Sequence, residues 1–211
     1  VITPLSFDQR HTLAVTFDYR FGAGKDYRGP QTTFKEGGKN WRWLEDFGFN
    51  FVTRVGSGAP YTRRYPPAAD EEVGNNITQN IYGDLNGSRY PWQFRTDLRV
   101  DKNFTLTFGK DSPDGTPEAE KKTAKVTNLN VYFQIFNLFN TKNVIAVHNY
   151  TGSPTDDGYL TSAFGIKEIS TKYNQGASYA TAFVDQYNAK LNDGSYYSLP
   201  RQFRIGLTFD F

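Results

Sequence analysis

Five stretches of the chain alternate apolar and polar residues with a period of two, the spacing that turns successive side chains to opposite faces of a β-strand. Over 12–21, Leu13, Val15, Phe17, Tyr19 and Phe21 face Thr12, Ala14, Thr16, Asp18 and Arg20. Over 45–55, Phe47, Phe49, Phe51, Thr53 and Val55 oppose Asp46, Gly48, Asn50, Val52 and Arg54, with Val52 the one apolar residue on the polar side. The stretch 92–108 sets Phe94, Thr96, Leu98, Val100, Phe104, Leu106 and Phe108 against Gln93, Arg95, Asp97, Arg99 and Asp101. Leu129, Val131, Phe133 and Ile135 do the same against Asn128, Asn130, Tyr132 and Gln134 in 127–136. A short strand is predicted at 144–149, and 201–211 ends the chain with Phe203, Ile205, Leu207, Phe209 and Phe211 on one face and Arg204, Gly206, Thr208 and Asp210 on the other.

Between these strands the sequence is polar and rich in turn formers. Residues 22–43, 56–91 and 109–125 read as irregular connections, and 137–143 as a tight one. Residues 150–198 form the longest polar stretch. Tyr179, Phe183, Tyr187 and Leu191 lie four apart there, predicting one helix from Ser178 to a stop at Asn192-Asp193-Gly194. Lys102 interrupts an apolar row, which suggests a position near a rim, a snorkelling side chain or a bulge. Strands joined without a crossover helix pair antiparallel, so the expected class is all-β.

Composition sharpens this picture. Aromatics make up 17% of the 211 residues and Gly is frequent at 19, while hydrophobic residues reach only 37%. A mean hydropathy of −0.63 is compatible with a wide barrel, whose wet lumen and long loops dilute its apolar band. The net charge of +2, from 24 basic and 22 acidic residues, gives no general basic field, so nucleic acid is not an expected partner. Without Cys there are no disulfides and no thiol chemistry. No apolar run approaches the roughly 18 residues of a transmembrane helix, and Val-Ile-Thr-Pro-Leu at the start has no signal-peptide pattern.

The spacing Arg204-x-Gly206-x-x-Phe209-x-Phe211 resembles the C-terminal signal of bacterial outer-membrane β-barrels, which the barrel-assembly machinery reads. Further stretches, in order, are similar to TonB-dependent outer-membrane transporters of the type common in Bacteroidetes and in the Oar-like proteins. They are Phe-Asp-Gln-Arg-His-Thr-Leu at 7–13, Arg-Val-Gly-Ser-Gly-Ala-Pro-Tyr-Thr at 54–62, Asp-Leu-Arg-Val-Asp-Lys at 97–102, Phe-Asn-Leu-Phe-Asn-Thr-Lys-Asn at 136–143, Thr-Gly-Ser-Pro-Thr-Asp-Asp-Gly-Tyr-Leu at 151–160 and Ser-Leu-Pro-Arg-Gln at 198–202. The resemblance implies an antiparallel transmembrane barrel of about 22 strands, of which residues 1–211 supply the C-terminal six or so. It implies residence in the outer membrane, with the lipid bilayer, the remaining barrel and the plug as partners, and energised import through a TonB complex contacted by segments outside this stretch. Six strands ending in the periplasm place 150–198, 109–125 and 22–43 at the cell surface and 137–143 and 56–91 in the periplasm. Six strands also cannot close a wide barrel, so residues 1–211 are expected to belong to a longer chain or to rest against other barrel strands.

The candidate functional residues follow from the facing. Asp18, Arg20, Asn50, Arg54, Arg95, Asp97, Arg99 and Asp101 are the expected lumen-facing set, and Trp41, Trp43 and Trp92 the expected interface anchors. Arg95, Asp97, Arg99 and Asp101 either line a solute path or pair across the wall and with a plug, the structural role being favoured. Asp156-Asp157-Gly158 offers oxygen ligands but lacks the spacing of a calcium loop. Gly-Ala-Gly-Lys at 22–25 lacks the spacing and following helix of a phosphate loop. His11 and His148 come with no nucleophile motif. The reading is therefore a non-enzymatic transporter wall without cofactor or metal. The competing class is a soluble β-sandwich or surface adhesion module, whose strands would alternate equally.

Overall fold

The five alternating stretches pair into one antiparallel sheet of order β1-β2-β5-β6-β7 in the computed structural model, which describes residues 2–31, 42–65, 81–108 and 125–210. Its strands are β1 (Thr12–Arg20), β2 (Phe47–Gly56), β5 (Gln93–Phe108), β6 (Lys125–Phe136) and β7 (Gln202–Asp210). A separate two-stranded sheet pairs β3 (Pro60–Tyr61) with β4 (Ser88–Arg89). Among the described residues the architecture is mostly antiparallel sheet with two α-helices, α1 (Ala163–Gln175) and α2 (Ala177–Leu191). Among the described residues the large sheet is open, with β1 and β7 at its edges.

Two compact units divide the chain, one of 1–13, 54–94 and 141–200 and the other of 14–53, 95–140 and 201–211. In the second unit the register keeps the apolar parity aligned from strand to strand. Leu98, Ile135 and Phe203 form one row across β5, β6 and β7, and Val100, Phe133 and Ile205 the next. Phe104, Leu129 and Phe209 make another. Matching rows of one parity are what a shared face requires, since a slip by one residue would turn the whole set over. Antiparallel order at β1 and β2 shows in the Phe21 N–H donating to the Phe47 carbonyl while Asn50 bonds Asp18. Lys102 sits opposite Val131 without breaking the register, so there is no bulge; its ammonium donates to the Trp43 carbonyl at 2.5 Å.

Two expectations are corrected. No strand forms at 144–149: Val144 makes a single bridge to Tyr197. The neighbouring N–H groups of Ile145 and Ala146 both reach the Tyr196 carbonyl, and that of His148 reaches Ser153. Loop partners thus satisfy the backbone that a sheet neighbour would otherwise have served. Residues 137–201 are therefore one connection. Counting five strands, this connection and 57–92 join the same ends of their strands, whereas six would have put 56–91 and 150–198 at opposite ends. The second correction is that two helices occupy 150–198 where one is predicted. Ser162 caps α1, its hydroxyl accepting from the Gly165 N–H, and Gly176, at φ 144°, ends α1 and opens α2.

In the first unit Asn143 replaces a strand neighbour. Its side-chain oxygen accepts from the Phe94 N–H and its amide donates to the Phe94 carbonyl, both at 2.8 Å. Arg63 donates twice to the Tyr150 carbonyl, and Arg89 pairs with Asp8. These polar clamps matter because few apolar side chains are buried: Tyr27, Val147 and Ala180 among the described residues.

Candidate functional site

The polar face of the large sheet gathers most of the charged residues that the alternation singles out. Arg20 on β1 reaches Asp101 on β5 at 2.6 Å, passing over β2 between them. Gly48 makes this crossing possible. A Cβ there would lie 2.7 Å from the guanidinium of Arg20 and 3.2 Å from the Asp101 carboxylate. Asn50 donates to Asp18 at 2.9 Å, and Asn130 donates to Asp101 at 2.9 Å and to Asn103 at 2.5 Å. On this half of the face the Asp101 carboxylate answers Arg20, Asp18 is held by Asn50, and Asp210 stands on β7 in register with Asn128.

The other half has the opposite balance. Arg95 pairs with Asp97 at 2.8 Å, and the same carboxylate accepts from the Asn137 N–H. Arg99 lies over the Tyr132 ring at 4.4 Å, while Arg95 and Arg204 approach the Phe136 ring at 5.6 and 5.0 Å. A guanidinium over a ring face is held by the ring quadrupole and keeps its donors directed outward. Tyr132 also lies across Gly206 of β7, its paired residue, so close that a Cβ there would come within 2.6 Å of Cε1 and nearer still to Cζ and the hydroxyl. The residue that the terminal spacing marks as part of an assembly signal therefore has a packing reason to be glycine.

The opposite face carries the large apolar side chains. Phe17 is 53% exposed, Ile205 75% and Leu207 68%, and Leu13, Val15, Phe203 and Phe209 are comparably open. Aromatic contacts knit this face, with Phe17 stacked on Phe49 and Phe133 on Phe203.

Of the expected lumen set, Asp18, Arg20, Asn50 and Asp101 form one neighbourhood on the polar face and Arg95, Asp97 and Arg99 another. Arg54 is exposed and belongs to the other unit. Arg204 and Gly206 take places on the polar face and Phe209 on the apolar face, whereas Phe211 and Trp41 lie outside the described residues. Trp43 and Trp92 are exposed, the latter stacked on His11 with nearly parallel rings. Gly48, Asn130 and Tyr132 do not stand out from alternation alone. A glycine inside each of two strands signals close approach of something to the backbone, and this clue points to both crossings.

The loop candidates form turns. Asp156 accepts from the Gly158 N–H and Asp157 from the Tyr159 N–H, and Asp157 takes a further bond from the Tyr187 hydroxyl at 2.6 Å. Burial and the Asp157 carboxylate push the Tyr187 phenol well above its ordinary value. Hydrogen bonds from Ser195 hold the exposed Asp193 below the usual carboxylate range. Residues 22–25 lead into a one-turn 3-10 helix, too short for a phosphate-loop helix. His148 stacks on Tyr196 with centroids 4.8 Å apart, and no group of three or more metal-ligating side chains occurs among the described residues. A cleft of about 420 Å³ borders Pro4, Arg10, Asp84, Asn86 and Arg89.

Comparison with family models, with curated proteins and with solved structures gives no match in any of the three.

Proposed function

We propose that residues 1–211 form part of the wall and surface loops of a TonB-dependent outer-membrane transporter, with the apolar face of the large sheet against lipid and the polar face toward the lumen. The observation that supports it most is the pairing of an exposed, aromatic-rich face with a hydrogen-bonded, charged one on a five-stranded sheet whose rows align across β5, β6 and β7. In water such an apolar face would be a liability, whereas hydrocarbon is its natural medium. Hydrocarbon imposes a second demand. Each unpaired backbone group there costs several kcal/mol, so the edges at β1 and β7 require further strands of the same barrel beside them.

On this reading the wall performs no chemistry and needs no cofactor. Its work is to hold a charged lumen surface rigid beside a plug, while energised import runs through the plug and its TonB contact. Gly206, Phe209 and Phe211 serve recognition by the barrel-assembly machinery. If β7 ends in the periplasm, this reading has 57–92 and 137–201 at the cell surface and 21–46 and 109–124 in the periplasm.

Fractionation of cells making the full-length protein tests this directly. The protein is expected in the outer membrane, to need detergent for extraction, and to migrate differently on gels before and after boiling. External protease is expected to cut within 57–92 or 137–201. A monodisperse soluble monomer of residues 1–211 without detergent would instead favour the sandwich or adhesion module, and cleavage confined to 21–46 or 109–124 would overturn the orientation.

A further inference from the structure

Arg99, Gln134 and Arg204 form one row across β5, β6 and β7 on the polar face. Adjacent strands lie about 4.8 Å apart, so the two arginines stand roughly 10 Å apart at their Cα atoms with the amide of Gln134 between them. Neither guanidinium belongs to any ion pair among the described residues. The two carboxylates flanking Arg99 along the strand are already engaged, Asp97 by Arg95 and the Asn137 N–H and Asp101 by Arg20 and Asn130. Each of the two is instead braced on a ring, Arg99 on Tyr132 and Arg204 on Phe136. The arrangement differs from that of Arg20, whose charge Asp101 already answers.

We propose that Arg99 and Arg204, with Gln134 between them, are a clamp for an oxyanion, a carboxylate or phosphate group. Three features carry this. Two fork-shaped donors start from one row, on either side of Gln134, and each matches such a group bidentately. Stacking restricts both side chains before any ligand arrives, which lowers the ordering cost of binding. Among the described residues the surrounding half of the face holds the guanidiniums of Arg95, Arg99 and Arg204 against the one carboxylate of Asp97, so an anion is drawn there and repelled from the half that carries Asp18, Asp101 and Asp210. The anion has two possible sources, a passing solute or an acidic side chain of another segment of the assembled protein. The inference deepens the wall reading, under which this face lines the lumen.

The test uses the full-length protein in detergent, with inorganic phosphate as probe at constant ionic strength and phosphorus NMR line broadening as readout. If the source is a solute, phosphate binds saturably. Arg99→Gln and Arg204→Gln then each weaken binding about tenfold or more, while Arg20→Gln leaves it unchanged. Arg99→Lys, which keeps the charge and loses the fork, is expected to fall between. If an internal carboxylate fills the clamp, phosphate has no effect, and Arg99→Gln and Arg204→Gln lower the unfolding midpoint non-additively because they share one partner. Phosphate binding that survives the double variant, binding lost equally in Arg20→Gln, or no binding together with additive midpoints would each overturn the proposal. Because fractionation and heat-dependent migration of the wild-type protein read the wall, while Arg99→Gln lies outside the terminal assembly spacing and reads the clamp, a failed clamp and a failed wall reading are distinguishable.

Discussion

Replacing Gly206 by alanine tests whether Tyr132 is truly seated across β7. The added methyl would lie within 2.6 Å of the ring, whereas carbon atoms pack at about 3.5–4.0 Å, so the ring must move by roughly 1 Å. Overpacking of this kind costs about 1–3 kcal/mol. Displacing the ring also weakens its contact with Arg99, 4.4 Å from the centroid, a loss of about 0.5–1 kcal/mol at an open site. Alanine restricts the unfolded chain and returns about 0.4–1 kcal/mol. The net expectation is a destabilisation of about 1–3 kcal/mol. Urea unfolding of the detergent-folded full-length protein measures it, with heat-dependent migration as the folding signal. The decisive step is a cycle with Tyr132→Ala. Once the ring is gone, Gly206→Ala should be neutral or slightly stabilising. An equal cost in both backgrounds, within about 0.5 kcal/mol, would mean that Tyr132 does not govern the glycine.

Gly48→Ala should cost less, about 0.5–1 kcal/mol, because what it meets is the far end of the flexible Arg20 side chain; the cost should shrink in high salt and vanish in an Arg20→Ala background when urea midpoints are compared. Asn143→Ala leaves the N–H and C=O of Phe94 without their side-chain partner and should cost about 2–3 kcal/mol, seen as faster amide exchange at Phe94; unchanged exchange would contradict the clamp. Tyr187→Phe removes the bond to Asp157 and should cost about 1 kcal/mol, with faster proteolysis of 150–198 as the readout. Since the Tyr187 phenol is raised above its ordinary 10.0, the stabilisation linked to it is complete below pH 10 and is lost only as pH climbs through the raised value; a wild-type minus Tyr187→Phe difference titration showing one tyrosinate formed at the ordinary pH would refute this.

Alternation reveals which residues share a face because parity is a local property of an extended backbone, and the rows Leu98–Ile135–Phe203 and Arg99–Gln134–Arg204 follow once register is known. Register itself is not local. Nothing within Asp97–Lys102 tells that Asp101 will answer Arg20 from two strands away, or that Asn130 will share it. The interior glycines at 48 and 206 hold the missing information in part, since each marks where a long side chain must cross, but not which side chain. Strand membership is harder again. Val144–Asn149 has the β-branched and apolar content of a strand, yet its N–H groups at 145, 146 and 148 go to Tyr196 and Ser153 in the same loop and the Asn149 carbonyl takes the Arg64 N–H, and local content cannot distinguish a loop partner from a sheet partner. That single miscount has consequences far from residue 144. In a meander the end of the sheet reached by each connection depends only on how many strands separate it from a fixed reference, here β7. Removing one strand between 137 and 201 leaves that connection where β7 begins but transfers 57–92 to the same end, and moves 21–46 and 109–124 to the other. An error in one short segment thus inverts the expected membrane sides of connections more than a hundred residues upstream while every face assignment within the strands stands.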